Sequence, residues 1–378
     1  MIDFAKCLFG DAEKRAVNKV MEGYWLASGK ENEAFEKEFA TYVGAKYAVA
    51  VNSGSSANLL AMAALNLPKG SKVITSGCGF PATLTPILHC GLEPVLVDYD
   101  LTTHNIDLNQ IKDHGSTSKA AIVAHTLGNP VDMERLLKLG IPIIEDCCEA
   151  VGSKLKGKFL GTYGVMGTYS FYPSHQMTAL GTGGMVVTSS KELALRLRSL
   201  RDWGKVSDWD SYLGDHPTKY DHNDYFKQYT YETVGYNMKL SEAAAAFGRE
   251  QLKRLDGFTR GRKLNYSMLK HRLADLCEIF IDVVQTKDSE PSWFGYVLTF
   301  KSDKYNRNDF SDYLESRGIR TRPFFAGNIT RHKPFKKYER TFPIADKLMK
   351  DSLFVGVHPG IAEGEITFME TTIRQYFK

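Results

Sequence analysis

Apolar positions recur at helical spacing over Asp11–Glu22 and Lys30–Val43, and the pattern then switches to short unbroken apolar runs between polar, glycine-containing turns. A period near 3.6 predicts amphipathic helices for the first two segments, and a run such as Tyr47–Val51 predicts a buried strand. Further β-like runs at 72–75, 93–97, 120–124, 141–144 and 184–188 alternate with helical patterns, among them 59–65, 192–201 and 241–255. Such alternation predicts an α/β fold whose mostly parallel sheet is covered by helices on both faces. The expected division is a large domain over 1–255, including the N-terminal helices and a linking helix at 241–255, and a small C-terminal α+β domain over 256–378. Between 202 and 236 the texture becomes aromatic and rich in Asp and Gly without periodicity, which predicts a long ordered loop serving as a lid or binding loop.

Composition narrows the function classes. A length of 378 residues is enough for a large core and a second domain. A net charge of +4, with no basic run denser than Lys154-Leu-Lys-Gly-Lys158, argues against nucleic acid or a membrane as partner and leaves small molecules. The N-terminus carries charge with no apolar stretch of signal-peptide length behind it, and no window reaches about 18 uninterrupted apolar residues, so a cytoplasmic location is expected. Six scattered cysteines without C-x-x-C spacing read as reduced core residues, and no metal site is expected.

Three segments carry candidate chemistry. Asn52-Ser-Gly-Ser-Ser-Ala-Asn58 follows a strand and opens a helix, where free backbone N–H groups and the helix dipole attract an anion. In Ile143-Ile-Glu-Asp146-Cys-Cys-Glu149, Asp146 ends a buried strand and needs a cationic partner. A protonated pyridine nitrogen is one such partner; an N-cap or a salt bridge is the ordinary alternative. In Thr168-Tyr-Ser170-Phe-Tyr-Pro-Ser174-His175, followed by Gly181, Gly183 and Gly184, serine hydroxyls and glycines suit a phosphate while His175 offers a neutral-pH base.

Together, in this order and spacing, the three segments resemble the fold-type I (aspartate aminotransferase-like) pyridoxal-phosphate enzymes of the nucleotide-sugar aminotransferase family. Within it the chain is similar to the branch that has histidine in place of the Schiff-base lysine, the nucleotide-linked 4-keto-6-deoxyhexose 3-dehydratases. Segments Gly79-Phe-Pro-Ala-Thr83, Ala124-His-Thr-Leu-Gly-Asn-Pro130, Arg201-Asp-Trp-Gly204, Pro291-Ser-Trp-Phe-Gly295 and Phe325-Ala-Gly-Asn-Ile-Thr-Arg331 add to that resemblance. It implies Phe80 against the pyridine ring, Gly54, Ser55, Ser56 and Ser170 at the phosphate, Asp146 at the ring nitrogen and Glu149 beside the ring. It also implies a homodimer with shared active sites, in which Asn237 reaches a phosphate across the interface. Tyr24, His125, Arg322 and Arg331 are candidate contacts to the substrate.

The expected function is removal of the C3 hydroxyl from a nucleotide-linked 4-keto-6-deoxyhexose, a step of deoxysugar biosynthesis such as that of lipopolysaccharide O-antigens. His175 is the expected base, and an amino donor such as glutamate regenerates pyridoxamine phosphate. Some members of the branch hold an iron–sulfur cluster on cysteines after the Arg-Asp-Trp-Gly motif; residues 202–236 contain no cysteine, so that route is not expected here. Thr182 stands where many relatives carry an acid. Two rivals stay open: a nucleotide-sugar aminotransferase whose lysine at 175 was replaced, naturally or by engineering, and a non-catalytic cofactor or nucleotide-sugar binding protein. The nucleotide base is not legible.

Overall fold

The computed structural model describes residues 1–206 and 229–378. Part of the loop expected over 202–236 therefore lies outside the described residues. Helices α1 (Asp11–Glu22) and α2 (Lys30–Val43) lead into β1 (Tyr47–Val51) and α3 (Gly54–Ala64). Next come β2 (Lys72–Ser76), α4 (Pro81–His89), β3 (Glu93–Val97), α5 (Leu108–Ile111), β4 (Ala120–Ala124), α6 (Met133–Leu137) and β5 (Ile143–Asp146). A small ribbon, β6 (Lys154–Leu155) and β7 (Lys158–Phe159), precedes β8 (Met166–Ser170), β9 (Gly184–Thr188) and α7 (Lys191–Arg201).

Seven of these strands form one sheet in the order β1-β9-β8-β5-β4-β2-β3. Pairing is parallel from β3 across to β8, and only β9 runs against its neighbours. Strands β4, β5, β8 and β9 are almost wholly buried, as expected of a sheet covered on both faces. On one side Phe35 and Phe39 of α2 meet Tyr169 and Phe171, with ring centroids 4.9 to 5.5 Å apart. The buried carboxylate of Glu36 is held there by Arg198, Arg201 and the amide of Ala50, which ties α2, α7 and β1 together.

Strand β8 had no separate expectation, because its Met-Gly-Thr-Tyr-Ser run reads as the start of the cofactor segment. The helix expected over 59–65 begins earlier: Ser53 accepts from the Ser56 amide at 3.0 Å, so the small-residue turn is itself the first turn of α3.

The helix expected over 241–255 is α8 (Glu242–Arg272), 31 residues that run unbroken through residues 255 and 256. It continues past Gly261 because the glycine lets the helix meet Pro359; an added Cβ would sit 2.5 Å from the proline Cβ. Beyond it, β10 (Ser289–Glu290) joins the small ribbon, and β11 (Gly295–Thr299), β12 (Thr321–Pro323) and β13 (Ser352–Gly356) form an antiparallel sheet in the order β11-β13-β12. The first residues lie on this sheet: Ile2 exchanges backbone hydrogen bonds with Gly318 and Arg320, and the Phe4 ring packs on Phe294 and Phe354. No helix among the described residues is long and apolar enough to cross a membrane.

Candidate active site

In an open α/β sheet the ends of the parallel strands converge on one crevice. Here β5 ends at Asp146, β8 at Ser170 and β4 just before His125, and the turns after β1 and β2 bring Gly54 and Phe80 to the same edge. The C-terminal sheet closes the other side with Phe294, Arg322, Phe325 and Phe354. The resulting cavity has a volume of about 650 Å³, the size of a small-molecule site.

Asp146 is buried and fully oriented. One carboxylate oxygen accepts from Asn58 Nδ2 and from Thr83 Oγ1, each at 2.8 Å, and the other from the amide of Cys148 at 3.1 Å. Asn58 is in turn fixed by the Thr168 hydroxyl, which donates to its Oδ1 at 2.5 Å. All three donors to Asp146 are neutral, and among the described residues it joins no ion pair. A buried carboxylate lined up in this way has room for one cation from the cavity side, which fits a protonated pyridine nitrogen.

Gly54 lets α3 approach β8. An added Cβ there would lie 2.5 Å from Ser170 Cβ and 3.0 Å from Cys148 Sγ. Gly54, Ser55 and Ser170 line the cavity, whereas Ser56 does not; its amide and hydroxyl are both bonded to Ser53. The part of the turn that faces the cavity is thus Gly54–Ser55, and Ser170 lines the same cavity. Phe80 stands at the mouth with its ring 58% exposed, available to cover a planar ligand.

Glu149 lies on the cavity wall and accepts from the Leu127 amide at 2.9 Å. Burial, with the nearby Asp146 charge, raises its carboxyl to about 8 against the pull of that amide, so it holds a proton at neutral pH. Burial likewise raises the Cys148 thiol, and Asp146 adds to the effect.

His175 closes the loop after β8. Its ring lies 5.2 Å from that of Phe294, its Nδ1 is buried without a hydrogen-bond partner, and burial, helped by the Arg262 charge, lowers the imidazole to about 3. It is neutral across the physiological range. No lysine lines the cavity among the described residues.

The other candidates divide. Arg322 lines the cavity, its guanidinium 5.3 Å from the Phe4 ring centroid. His125 touches the wall, but its ring is spent: Nδ1 accepts from the Val131 amide at 3.0 Å and Nε2 meets Glu145 at 3.1 Å. It positions structure and has no ring nitrogen left for a substrate. The amides of Gly161, Tyr163 and Gly164 complete the bonding of Glu145. Arg331 is paired with Asp346 and Glu339 away from the cavity. Tyr24 is 92% exposed and Asn237 is exposed in a bridge to Asp202; neither lines the cavity of its own chain. Thr182 lines the cavity and its hydroxyl donates to the Asn52 carbonyl.

Sequence reasoning assigned no role to Asn58, Thr83, Tyr172 or Phe294. Asn58 was within reach, since it lies four residues past Gly54 and so one turn further along the same helix face. Phe294 lay within the Pro291-Ser-Trp-Phe-Gly295 segment, but nothing in that segment set the phenylalanine apart.

A mostly parallel sheet with a crevice holding an oriented carboxylate, a phosphate-sized turn and an exposed ring defines a fold-type I pyridoxal-phosphate enzyme. Residues 9–374 match the DegT/DnrJ/EryC1/StrS aminotransferase family, and the chain belongs to it. It is 37% identical over 384 residues to the lipopolysaccharide biosynthesis protein RfbH of Salmonella typhimurium, covering 93% of this chain and 86% of that protein. It is 38% identical over 383 residues to the dTDP-4-dehydro-2,6-dideoxy-D-glucose 3-dehydratase of Saccharopolyspora spinosa, covering 93% and 81%. A solved GDP-4-keto-6-deoxymannose-3-dehydratase with a trapped PLP-glutamate geminal diamine superposes with a TM-score of 0.91 at 31% identity, covering 99% of this chain and 100% of that chain. The cofactor is pyridoxal phosphate.

Proposed function

We propose that the protein removes the C3 hydroxyl from a nucleotide-linked 4-keto-6-deoxyhexose, using His175 as the base and an amino donor such as glutamate, without an iron–sulfur cluster. One observation carries this reading: the cavity presents a neutral imidazole at His175 and, among the described residues, no lysine. A base that cannot bind the cofactor covalently suits elimination, where the cofactor must return free to its amino form.

When bound, the cofactor supplies an electron sink through its ring nitrogen. Asp146, held by Asn58, Thr83 and the Cys148 amide, keeps that nitrogen protonated. The Gly54–Ser55 turn and Ser170 hold the phosphate. The neutral His175 imidazole accepts a proton at the reacting carbon, and anionic phosphates entering the cavity oppose the downward shift of its pKa. Glu149, still protonated at neutral pH, can donate a hydrogen bond inside the cavity. The C3 hydroxyl leaves as water, and hydrolysis then gives a 3-deoxy-4-keto sugar and ammonia, whose nitrogen came from the amino donor.

A homodimer with shared sites is part of this reading. Tyr24, Trp25 and Leu26 are exposed, as is Asn237, and this surface is where a second copy would dock in this reading. Two of the relatives above are named for a dTDP sugar and a GDP sugar respectively, so the base is left open.

The test is to incubate the protein with pyridoxal phosphate and glutamate, add a nucleotide-4-keto-6-deoxyhexose, and assay ammonia and 3-deoxy product. An amino group retained at C4 of the sugar points to the aminotransferase alternative, and a His175→Asn variant with full dehydration activity removes the base assignment.

A further inference from the structure

Arg262 of α8 is an arginine in an unusual position. It is 2% exposed, yet its partners among the described residues are all backbone carbonyls: Nη2 donates to His175 at 3.1 Å, and Nη1 donates to Trp293 at 3.2 Å and to Phe294 at 3.3 Å. Nε is buried without a partner. Burial of a guanidinium without a carboxylate is costly, and it lowers the pKa of Arg262 to about 10. The three carbonyls belong to two separate walls of the cavity. His175 ends the loop after β8, whereas Trp293 and Phe294 lead into β11 of the C-terminal sheet, and the Phe294 ring is the one packed on the His175 imidazole.

We propose that Arg262 is a positioning residue for His175, one that fixes the main chain of the base against the entry to β11 by holding the His175, Trp293 and Phe294 carbonyls at once. The inference rests on the reading of His175 as the base. The planar fork of arginine can hold carbonyls from two segments at once, which a lysine ammonium on a flexible stem does poorly. Other titratable and charged groups face this region from several elements. Lys6 and Cys7 lie beside His175 on the N-terminal segment, and Tyr172 lies on its own loop. Across the cavity stand Asp146 at the end of β5, Cys148 and Glu149 after it, and Arg322 on β12. His358 lies near enough to Arg262 for its imidazole, too, to be lowered, to about 4, by burial first and that charge second.

The experiment titrates cofactor-free protein carrying ¹⁵N-labelled histidine by NMR, with the His175 signal assigned from its loss in His175→Asn. Wild-type His175 is expected to stay neutral down to about pH 5. Arg262→Gln is expected to move the midpoint up while leaving it below that of a free imidazole, because burial is the larger cause and the arginine the second. Arg262→Lys is expected to keep the low midpoint but to lower kcat at least about tenfold with KM little changed, since charge is retained and placement is lost. A wild-type midpoint in a folded Arg262→Gln protein, or a wild-type kcat in Arg262→Lys, overturns the proposal. If the glutamine variant does not fold, the kcat of the lysine variant decides alone. Full dehydration by His175→Asn would instead remove the base reading while leaving the titration result intact, so the two failures are distinct.

Discussion

Asn58 Nδ2 donates to Asp146 Oδ2 at 2.8 Å, across the gap between the helix that begins at the Gly54–Ser55 turn and the strand that ends at Asp146. The two halves of the site are thereby oriented by one side chain. Replacing Asn58 with Ala removes a hydrogen bond to a charged group, of the order of 1.5–3 kcal/mol. Cofactor affinity is expected to fall at least about tenfold, as read by the change in cofactor absorbance on titration. Asp146→Asn should leave binding weakened and dehydration abolished, because a neutral amide does not hold the ring nitrogen protonated.

Glu149 gives a pH dependence whose sign can be worked out. Its folded-state pKa of about 8 lies above the ordinary 4.5, so its contribution to stability is complete below about pH 4.5 and is lost as pH rises toward 8. Cofactor-free protein should therefore lose stability over that window with a slope of the order of 1 kcal/mol per pH unit. Urea unfolding of Glu149→Gln should show a flatter profile there; an unchanged profile would count against a buried, protonated Glu149.

Gly54→Ala places a Cβ 2.5 Å from Ser170 Cβ. Since α3 must shift or Ser170 must move, a loss of about 1–3 kcal/mol is expected in denaturant unfolding, together with weaker phosphate binding. Ser55→Ala, which adds no atoms, should weaken the cofactor without that loss of stability.

His175→Lys supplies the missing amine to the same cavity. Borohydride treatment with pyridoxal phosphate should then leave the cofactor covalently attached, detectable as an added mass on the intact protein, whereas the natural chain should show no such addition. Loss of 3-deoxy product should accompany the attachment.

Much of the fold was legible because its strands are fully buried and its turns carry punctuation. The runs 47–51, 93–97, 120–124 and 184–188 are strands at those bounds. The expected run 141–144 is offset: β5 begins at Ile143 and extends through Glu145 and Asp146, because both carboxylates are satisfied within the fold and so tolerate the sheet interior. The end of α8 was hidden by Gly257 and Gly261; at Gly261 the close approach of Pro359, which no local pattern encodes, favours the glycine within the helix. For the site, segment identity indicated which stretches would meet, but hydrogen-bond saturation decided which members remain available. His125 and Ser56 look as suitable as His175 and Ser55 in the sequence, yet the first two are spent on Glu145, Val131 and Ser53.

By itself the sequence determined the alternating α/β architecture, which depends on periodicity and residue type and is local, and its resemblance to a known family pointed to three segments as the candidate site, with a histidine where that family has a lysine. Only the tertiary structure decided that Asp146 is aligned by Asn58 and Thr83 without a cation, that Glu149 keeps its proton, and that Arg262 joins His175 to the C-terminal sheet. Each of these depends on burial and on contacts between residues far apart in the chain, and a side chain's charge state is set by what surrounds it in space.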